Sequence, residues 1–272
     1  EADDAHAGDR DQTMTSLANP AASVDFPATL RSRWPGLMRQ EGILSARSMA
    51  TSPMAEHRTR FRQLALDAGV LRFGEFTLKS GRVSPYFFNA GRFDSGASIA
   101  ALAGCYADAI EASGLEFDLL FGPAYKGIPL ATALACEYAG RGRDLPLAFN
   151  RKEAKAHGEG GSLIGAPLAG RRVLVVDDVI TAGTAIREAL GIIAGAGGTV
   201  AGIVVALDRQ EIASEADRRS AAQAVAAQAG VPVLAVAGLA DLLAFTDGND
   251  TLAGYRAPLQ AYRARYGCAP TG

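Results

Sequence analysis

The chain has 272 residues, 49% hydrophobic and 21% charged, with a formal net charge of -2 at pH 7. This near-neutral composition predicts a soluble globular protein with no nucleic-acid or membrane partner, because it offers neither a basic surface nor the roughly 18 consecutive apolar residues of a membrane span. The three cysteines, Cys105, Cys136 and Cys268, lie far apart and outside any CxxC spacing. We therefore expect no disulfide framework and no zinc site, and a cytoplasmic location.

The first part of the chain differs from the rest. Residues 1–56 begin with an acidic cluster, contain scattered Pro and Ser, and show no sustained period of 2 or 3.6. We interpret them as a disordered or loosely docked extension, such as an upstream start before Met54 or a cloning remnant. Residues 57–272 are interpreted as the functional domain.

Beyond residue 57 the pattern predicts an alternation of helices and strands. A first helix places Phe61 and Ala65 on one face and ends at Gly69. Strands are predicted for FDLLFG from Phe117, LPLAF from Leu145, RVLVV from Arg172, TVAGIVVAL from Thr199 and VPVLAVA from Val231. Helices are predicted near 97–112, 127–139, 184–195 and 216–228. This order indicates an α/β fold, in which helices cover both faces of a central, mostly parallel sheet.

The stretch VLVVDDVITAGTA combines two features at the end of one predicted strand. Asp177 and Asp178 follow the apolar run, and Thr181, Gly183 and Thr184 lead into a helix whose N-terminus could hold an anion. A sugar phosphate satisfies both, because carboxylates accept hydrogen bonds from ribose hydroxyls while the loop binds the phosphate. The alternative is a strand end followed by an ordinary turn and helix cap. Neither a Walker A loop nor a GxGxxG pattern is present, which weighs against ATP hydrolysis and dinucleotide redox chemistry.

A second stretch, FNRKEAKAHGEGG, is dense in positive charge. Arg151, Lys152, Lys155 and His157 fall within a few positions and are followed by glycines. Such a segment suits a lid over a polyanion such as pyrophosphate. A solvated surface loop is the alternative.

Two further stretches carry a cation beside aromatic side chains. FGPAYKGIP places Tyr125 and Lys126 between glycines after a strand, as in an anion-binding turn. FTLKSGRVSPYFFNAG carries Lys79, Phe87 and Phe88, which could hold a planar anion. Taken alone, the two phenylalanines are more typical of core residues.

Together and in this order, the four stretches resemble the orotate phosphoribosyltransferases, which have the type I phosphoribosyltransferase fold. The resemblance runs from about Arg60 to about Gly267. VLVVDDVITAGTA is similar to the general phosphoribosyl pyrophosphate motif, whereas FTLKSGRVSPYFFN and RKEAKAHGEGG are similar to the orotate branch. The resemblance implies a small hood region, a mobile loop, and transfer of ribose 5-phosphate from phosphoribosyl pyrophosphate to orotate in UMP biosynthesis.

The resemblance also implies roles for individual residues. Those that would bind phosphoribosyl pyrophosphate are Lys79, Tyr125, Lys126, Arg151, Lys152, Lys155, His157, Asp177, Asp178, Val179, Ile180, Thr181, Ala182, Gly183, Thr184 and Ala185. Those that would bind orotate are Phe87, Phe88, Thr181 and Arg209, with Arg209 on its carboxylate. The catalytic cations that stabilise the leaving pyrophosphate would be Lys155, His157, Lys152 and Arg151. The two aspartates would position the ribose.

The resemblance further implies Mg²⁺ carried by the substrate and a homodimer whose loop residues act across the interface. Two departures stand out: Ala156 replaces an Asp common in the family, and residues 1–56 have no counterpart. One alternative is a purine phosphoribosyltransferase, which would not be expected to carry Phe87, Phe88 and Arg209. The other is a regulator that senses phosphoribosyl pyrophosphate and binds nucleic acid, although the loop cations are kept and the extension has no helix-turn-helix pattern.

Overall fold

The first described elements form a helix and a separate hairpin. The computed structural model describes residues 53–78, 81–152, 162–181, 183–212, 216–247 and 249–268. Helix α1 (Pro53–Asp67) ends as predicted before Gly69, which has a φ of 63°. Strands β1 (Leu71–Thr77) and β2 (Val83–Phe88) pair antiparallel in a two-stranded sheet, which forms the small hood.

The central sheet has six strands. They are β3 (Leu119–Gly122), β4 (Leu147–Asn150), β5 (Leu163–Gly165), β6 (Arg172–Val179), β7 (Thr199–Asp208) and β8 (Val233–Gly238). Their spatial order is β5-β4-β3-β6-β7-β8, and all neighbours are parallel except β4 and β5. The predicted mostly parallel sheet is confirmed, and β6 lies in its interior.

The remaining described helices precede this sheet, lie between its strands, or follow its last strand, β8. They are α2 (Gly96–Ser113), α3 (Gly127–Gly140), α4 (Thr184–Gly195), α5 (Ala221–Ala229), α6 (Leu239–Asp247) and α7 (Arg256–Tyr266). Two short 3₁₀ helices, Ala90–Arg92 and Asp250–Tyr255, occur between them. The helix predicted from residue 216 begins later, because Ser220 is its N-cap and accepts a hydrogen bond from the Gln223 N–H at 3.1 Å. Within the described ranges, no helix is both long and apolar enough to cross a membrane.

Strand β6 shows why the sheet is covered on both faces. Its side chains alternate between two apolar clusters, so Leu174 and Val176 pack on one face while Val173 and Val175 pack on the other. All four are fully buried. Because both faces of residues 173–176 are buried, all four positions are apolar, and this run indicates the strand in the sequence.

The turn between β3 and α3 packs directly against β6. A Cβ atom added to Gly127 would lie 2.6 Å from the Val176 carbonyl oxygen and 2.5 Å from Pro123 Cδ. A Cβ added to Gly122 would lie 2.5 Å from the Gly127 carbonyl oxygen. Glycine is therefore required at both positions by close backbone approach, which brings the β3–α3 turn beside the end of β6.

We expect Gly127→Ala to lower the free energy of unfolding by about 1–3 kcal/mol, because the new methyl group meets backbone that has to move. The matched control is Gly191→Ala, in α4, where an added Cβ meets nothing within 4 Å. That variant should be neutral or more stable by up to about 1 kcal/mol, since Ala favours helix over Gly. Urea unfolding of both variants checks this, and equal stabilities would contradict it.

Candidate functional site

Two buried carboxylates mark the carboxyl end of β6. Asp177 and Asp178 are only 7% and 6% exposed. The Tyr106 hydroxyl, on α2, donates to the Asp177 carbonyl oxygen at 2.8 Å, and the Asp178 N–H donates to Asp177 Oδ1 at 2.9 Å. Lys126 Nζ lies 2.6 Å from Asp178 Oδ2. The predicted carboxylate pair is thus joined to the predicted anion-binding turn.

Burial has a large effect on one of these groups. Desolvation raises the pKa of Asp177 from 3.8 to about 7, and the neighbouring charge of Asp178 also raises it. The hydrogen bond from the Asp178 backbone and the charge of Lys126 act in the opposite direction. The carboxyl group of Asp177 therefore changes charge near neutral pH, where a hydroxyl or cation from a ligand would favour its ionised form.

The loop after β6 presents backbone rather than bulky side chains. Gly183 is the N-cap of α4 with a φ of 70°, and a Cβ there would lie 2.9 Å from Val225 Cγ2. Since Gly183 has no side chain to accept from them, the first N–H groups of α4 remain available to an anion. Thr181 and Thr184 are exposed beside them. Ala182 lies outside the described residues.

The turn after β3 brings three predicted residues together. Tyr125 is 68% exposed, Lys126 follows it, and Lys152 Nζ lies 5.3 Å from the centroid of the Tyr125 ring. Asn150, buried at the end of β4, holds this turn by accepting a hydrogen bond from the Ala124 N–H at 2.9 Å. Asn150 was not among the predicted site residues, although a polar residue that ends an apolar strand is a usable sequence signal.

A cavity of about 670 Å³ adjoins the loop after β6. Phe87 of the hood, Ile180 and Thr181 line it together with the segment 208–212. Three of the four residues predicted to bind orotate, Phe87, Thr181 and Arg209, therefore meet at one cavity. Phe88 is not part of the described lining, because its ring packs near Phe61 with the centroids 6.2 Å apart.

Arg209 forms an ion pair with Glu211, which other side chains also contact. Its Nε donates to Glu211 Oε1 at 3.0 Å, and the Tyr86 hydroxyl donates to the same oxygen at 3.0 Å. Arg82, which also lines the cavity, has Nη1 3.9 Å from Glu211 Oε2. No sequence pattern indicated Arg82, Tyr86 or Glu211 as site residues, because Arg82 and Tyr86 are distant in the chain from Glu211.

The cationic segment is described only at its start. Arg151 is half-buried and its N–H donates to the Ser162 carbonyl oxygen at 2.6 Å, while Lys152 is exposed. Lys79, Lys155 and His157 lie outside the described residues, as does Ala156, so their assigned roles remain predictions. In the part of the chain that is described, no group of three or more His, Cys, Asp or Glu side chains is arranged to hold a metal ion.

Comparison with known proteins gives the class first. Residues 93–224 match the family model of the phosphoribosyl transferase domain. The fold is the type I phosphoribosyltransferase fold.

Individual proteins with high sequence identity to this chain identify its family. The chain is 82% identical over 219 residues to the orotate phosphoribosyltransferase of Xanthomonas campestris pv. campestris (strain B100), covering 80% of this chain and 100% of that relative. It is 76% identical over 214 residues to that of Stenotrophomonas maltophilia (strain K279a), covering 79% and 98%. A solved orotate phosphoribosyltransferase of Francisella tularensis superimposes with a TM-score of 0.69 at 42% identity, covering 76% of this chain and 98% of that one. The chain belongs to the orotate phosphoribosyltransferase family, and it is accordingly a pentosyltransferase.

We expect Asp177→Asn to stabilise the protein progressively as the pH rises. Because folding raises this pKa, the protonated carboxyl group of Asp177 stabilises the folded state below about pH 4. This stabilisation is lost as the pH rises through about 7. Asn keeps an acceptor for the Asp178 N–H and does not ionise. The free energy of unfolding of the variant relative to the parent should therefore increase between pH 4 and pH 8, by on the order of 2–4 kcal/mol.

The control is Asp118→Asn, at the exposed start of the sheet. The hydrogen bond from Arg172 lowers the pKa of Asp118 to about 2, so its effect is constant between pH 4 and pH 8. Denaturant unfolding across that range distinguishes the two. A stability difference for Asp177→Asn that stayed flat with pH would contradict the assignment.

Proposed function

We propose that this site transfers ribose 5-phosphate from phosphoribosyl pyrophosphate to orotate, giving orotidine 5'-monophosphate and pyrophosphate in UMP biosynthesis. The observation that carries the proposal is the position of Thr181. It belongs to the loop that follows the carboxylates of β6, and it also lines the cavity that contains Arg209. A phosphoribosyl group and a flat carboxylated base could thus lie end to end. Family membership favours orotate over a purine base, and catalysis over regulation.

In this proposal the end of β6 binds the ribose phosphate. The carboxylates of Asp177 and Asp178 accept hydrogen bonds from the ribose hydroxyls, and the N-terminus of α4 binds the 5-phosphate. The residues proposed for the phosphate are Val179, Ile180, Thr181, Ala182, Gly183, Thr184 and Ala185. Because the aspartates lie at a rigid strand end, their task is to orient the anomeric carbon toward the base rather than to move a proton.

The base occupies the cavity beside this loop. Arg209 contributes a planar guanidinium, which matches a carboxylate better than a point charge does. Phe87 and Thr181 complete the described part of the proposed orotate site, and Phe88 supports the hood from the core side. Orotate has an ionisable ring nitrogen, so the reaction does not need a strong general base.

The pyrophosphate leaves toward the exposed turn and the cationic segment. Cleavage of the bond between the anomeric carbon and the pyrophosphate oxygen gives the ribose oxocarbenium character, and the ring nitrogen of orotate forms the new bond. Cations around the leaving oxygens stabilise this charge separation most strongly when water is excluded. The residues proposed here are Lys79, Tyr125, Lys126, Arg151, Lys152, Lys155 and His157.

Magnesium fits this arrangement as part of the substrate. Carboxylate oxygens at the end of β6 are groups that Mg²⁺ binds directly or through water, and Mg²⁺ usually enters with phosphorylated substrates. When bound it would neutralise charge on the pyrophosphate. All three cysteines are free thiols, in keeping with the proposed cytoplasmic location.

The function is tested by an assay with several bases. Purified protein with phosphoribosyl pyrophosphate and Mg²⁺ should consume orotate, with loss of its absorbance, and should form no product with hypoxanthine, adenine or uracil. Turnover of a purine base would keep the fold but overturn the base specificity. Binding of phosphoribosyl pyrophosphate without any turnover would instead support a regulator.

The proposed homodimer with shared sites is tested by mixing two inactive variants. Lys155→Ala removes a leaving-group cation and Arg209→Ala removes the base contact, so each homodimer should have low activity. If Lys155 serves the partner's site, a hybrid dimer has one intact site. After subunit exchange an equal mixture should recover roughly a quarter of parental activity, because half of the dimers are hybrid. No recovery by mass-verified hybrids would place Lys155 in its own subunit's site.

A further inference from the structure

Three side chains converge on one carboxylate behind Arg209. Glu211 is only 12% exposed, and its Oε1 accepts from Arg209 Nε at 3.0 Å and lies 2.9 Å from Arg209 Nη2. The Tyr86 hydroxyl donates to the same oxygen at 3.0 Å. Arg82 Nη1 lies 3.9 Å from the other oxygen, Oε2. Glu211 thus joins the hood strand β2 to the residue at the end of β7 that faces the cavity.

Tyr86 contacts both members of the pair. Its side chain is fully buried, its hydroxyl reaches Glu211, and its ring centroid is 5.2 Å from Arg209 Cζ. Burial and the charge of Glu211 raise the pKa of Tyr86 well above its ordinary value of 10. The phenol therefore stays protonated and remains a hydrogen-bond donor throughout the physiological range.

The backbone that carries Glu211 is held independently of any ligand. The Ile212 N–H donates to the Tyr266 carbonyl oxygen at 2.8 Å, and the Cys268 N–H donates to the Gln210 carbonyl oxygen at 2.8 Å. The end of the chain after α7 thus pairs with both neighbours of Glu211. A carboxylate on so constrained a segment is a fixed reference point for the guanidinium that binds it.

The contacts also define which part of Arg209 is left for a ligand. Glu211 Oε1 accepts a hydrogen bond from Nε and lies 2.9 Å from the buried Nη2, so Nη1 is the guanidinium nitrogen that Glu211 does not contact. The guanidinium groups of Arg82 and Arg209 both lie within 4 Å of the Glu211 carboxylate, and the Asp208 carboxyl group also lines the cavity. Planar recognition of a carboxylate depends on the orientation of the guanidinium as well as on its charge.

We propose that Glu211 and Tyr86 are positioning residues that fix the plane of the Arg209 guanidinium, and that this fixed plane makes the cavity select a flat ring bearing a carboxylate. The inference rests on the proposed function, in which Arg209 binds the carboxylate of orotate. It adds that Arg209 alone is insufficient: a correctly charged but freely rotating guanidinium would bind orotate weakly.

The test uses the full chain and two conservative variants. In Glu211→Gln and Tyr86→Phe the charge of Arg209 is kept while its supports are weakened. The KM for orotate should rise on the order of 10-fold in Glu211→Gln, which weakens the direct ion pair with Arg209, and about 3-fold in Tyr86→Phe, which removes only a hydrogen bond to Glu211. The kcat at saturating substrates and the KM for phosphoribosyl pyrophosphate should change by less than about 2-fold, because only binding of the base is affected.

Matched controls make the same chemical changes elsewhere. Tyr138→Phe alters a buried tyrosine that packs against Phe117, and Glu137→Gln alters a carboxylate paired with Arg141 on α3. Neither residue lines the cavity, so both controls should keep the parental KM for orotate. Thermal unfolding of all four variants measures any general loss of stability, which by itself would not change one KM selectively.

A double-mutant cycle separates this inference from the proposed function. Glu211→Gln made in the Arg209→Ala background should cause no further rise in the orotate KM, since the group that it positions is gone. If Arg209→Ala raises that KM but Glu211→Gln and Tyr86→Phe do not, the positioning role is wrong and the proposed function stands. If Arg209→Ala itself leaves the orotate KM unchanged, the proposed base contact is wrong.

Discussion

The site depends on two carboxylates buried at the end of an interior strand. Placing charge where β6 is surrounded by apolar side chains is costly unless polar partners are supplied. Lys126 supplies one from the β3–α3 turn, and the Tyr106 hydroxyl binds the backbone of Asp177 from α2. Both neighbouring elements therefore have to pack closely against β6, and the tight approach of Gly127 to Val176 is one result.

The same constraint determines where ligands can bind. Asp177 and Asp178 lie near the carboxyl end of β6, which leads to the N-terminus of α4, and Lys126 of the β3–α3 turn contacts Asp178 there. In the proposed function, this half of the site binds charged and hydroxyl groups through backbone geometry and a few cations. The adjoining cavity is lined by the hood and the segment after β7, and in the proposed function it selects the base.

The tertiary structure determines which side chains line that cavity and which of them contact Arg209. Arg209 was recognisable in the sequence as a base contact only through the family resemblance. Its environment of Tyr86, Glu211 and Arg82 combines residues up to 129 positions apart in the chain, and no local pattern indicates that they meet. Phe87 and Phe88 illustrate the same limit. Adjacent strand residues point to opposite sides, so one lines the cavity while the other packs in the core.

The sequence by itself was sufficient for the five parallel strands, their covering helices, and the acids and small residues after β6. Continuous apolar runs, helical periodicity and glycine positions are local signals of burial and turns. It did not indicate the three-residue edge strand β5 or helices α6 and α7. It also placed the start of α5 too early, because the N-cap Ser220 sets the first residue of this helix. Which side chains share the cavity, and which partner orients Arg209, was decided only by the tertiary structure, because contacts between distant segments follow from the packing of whole elements.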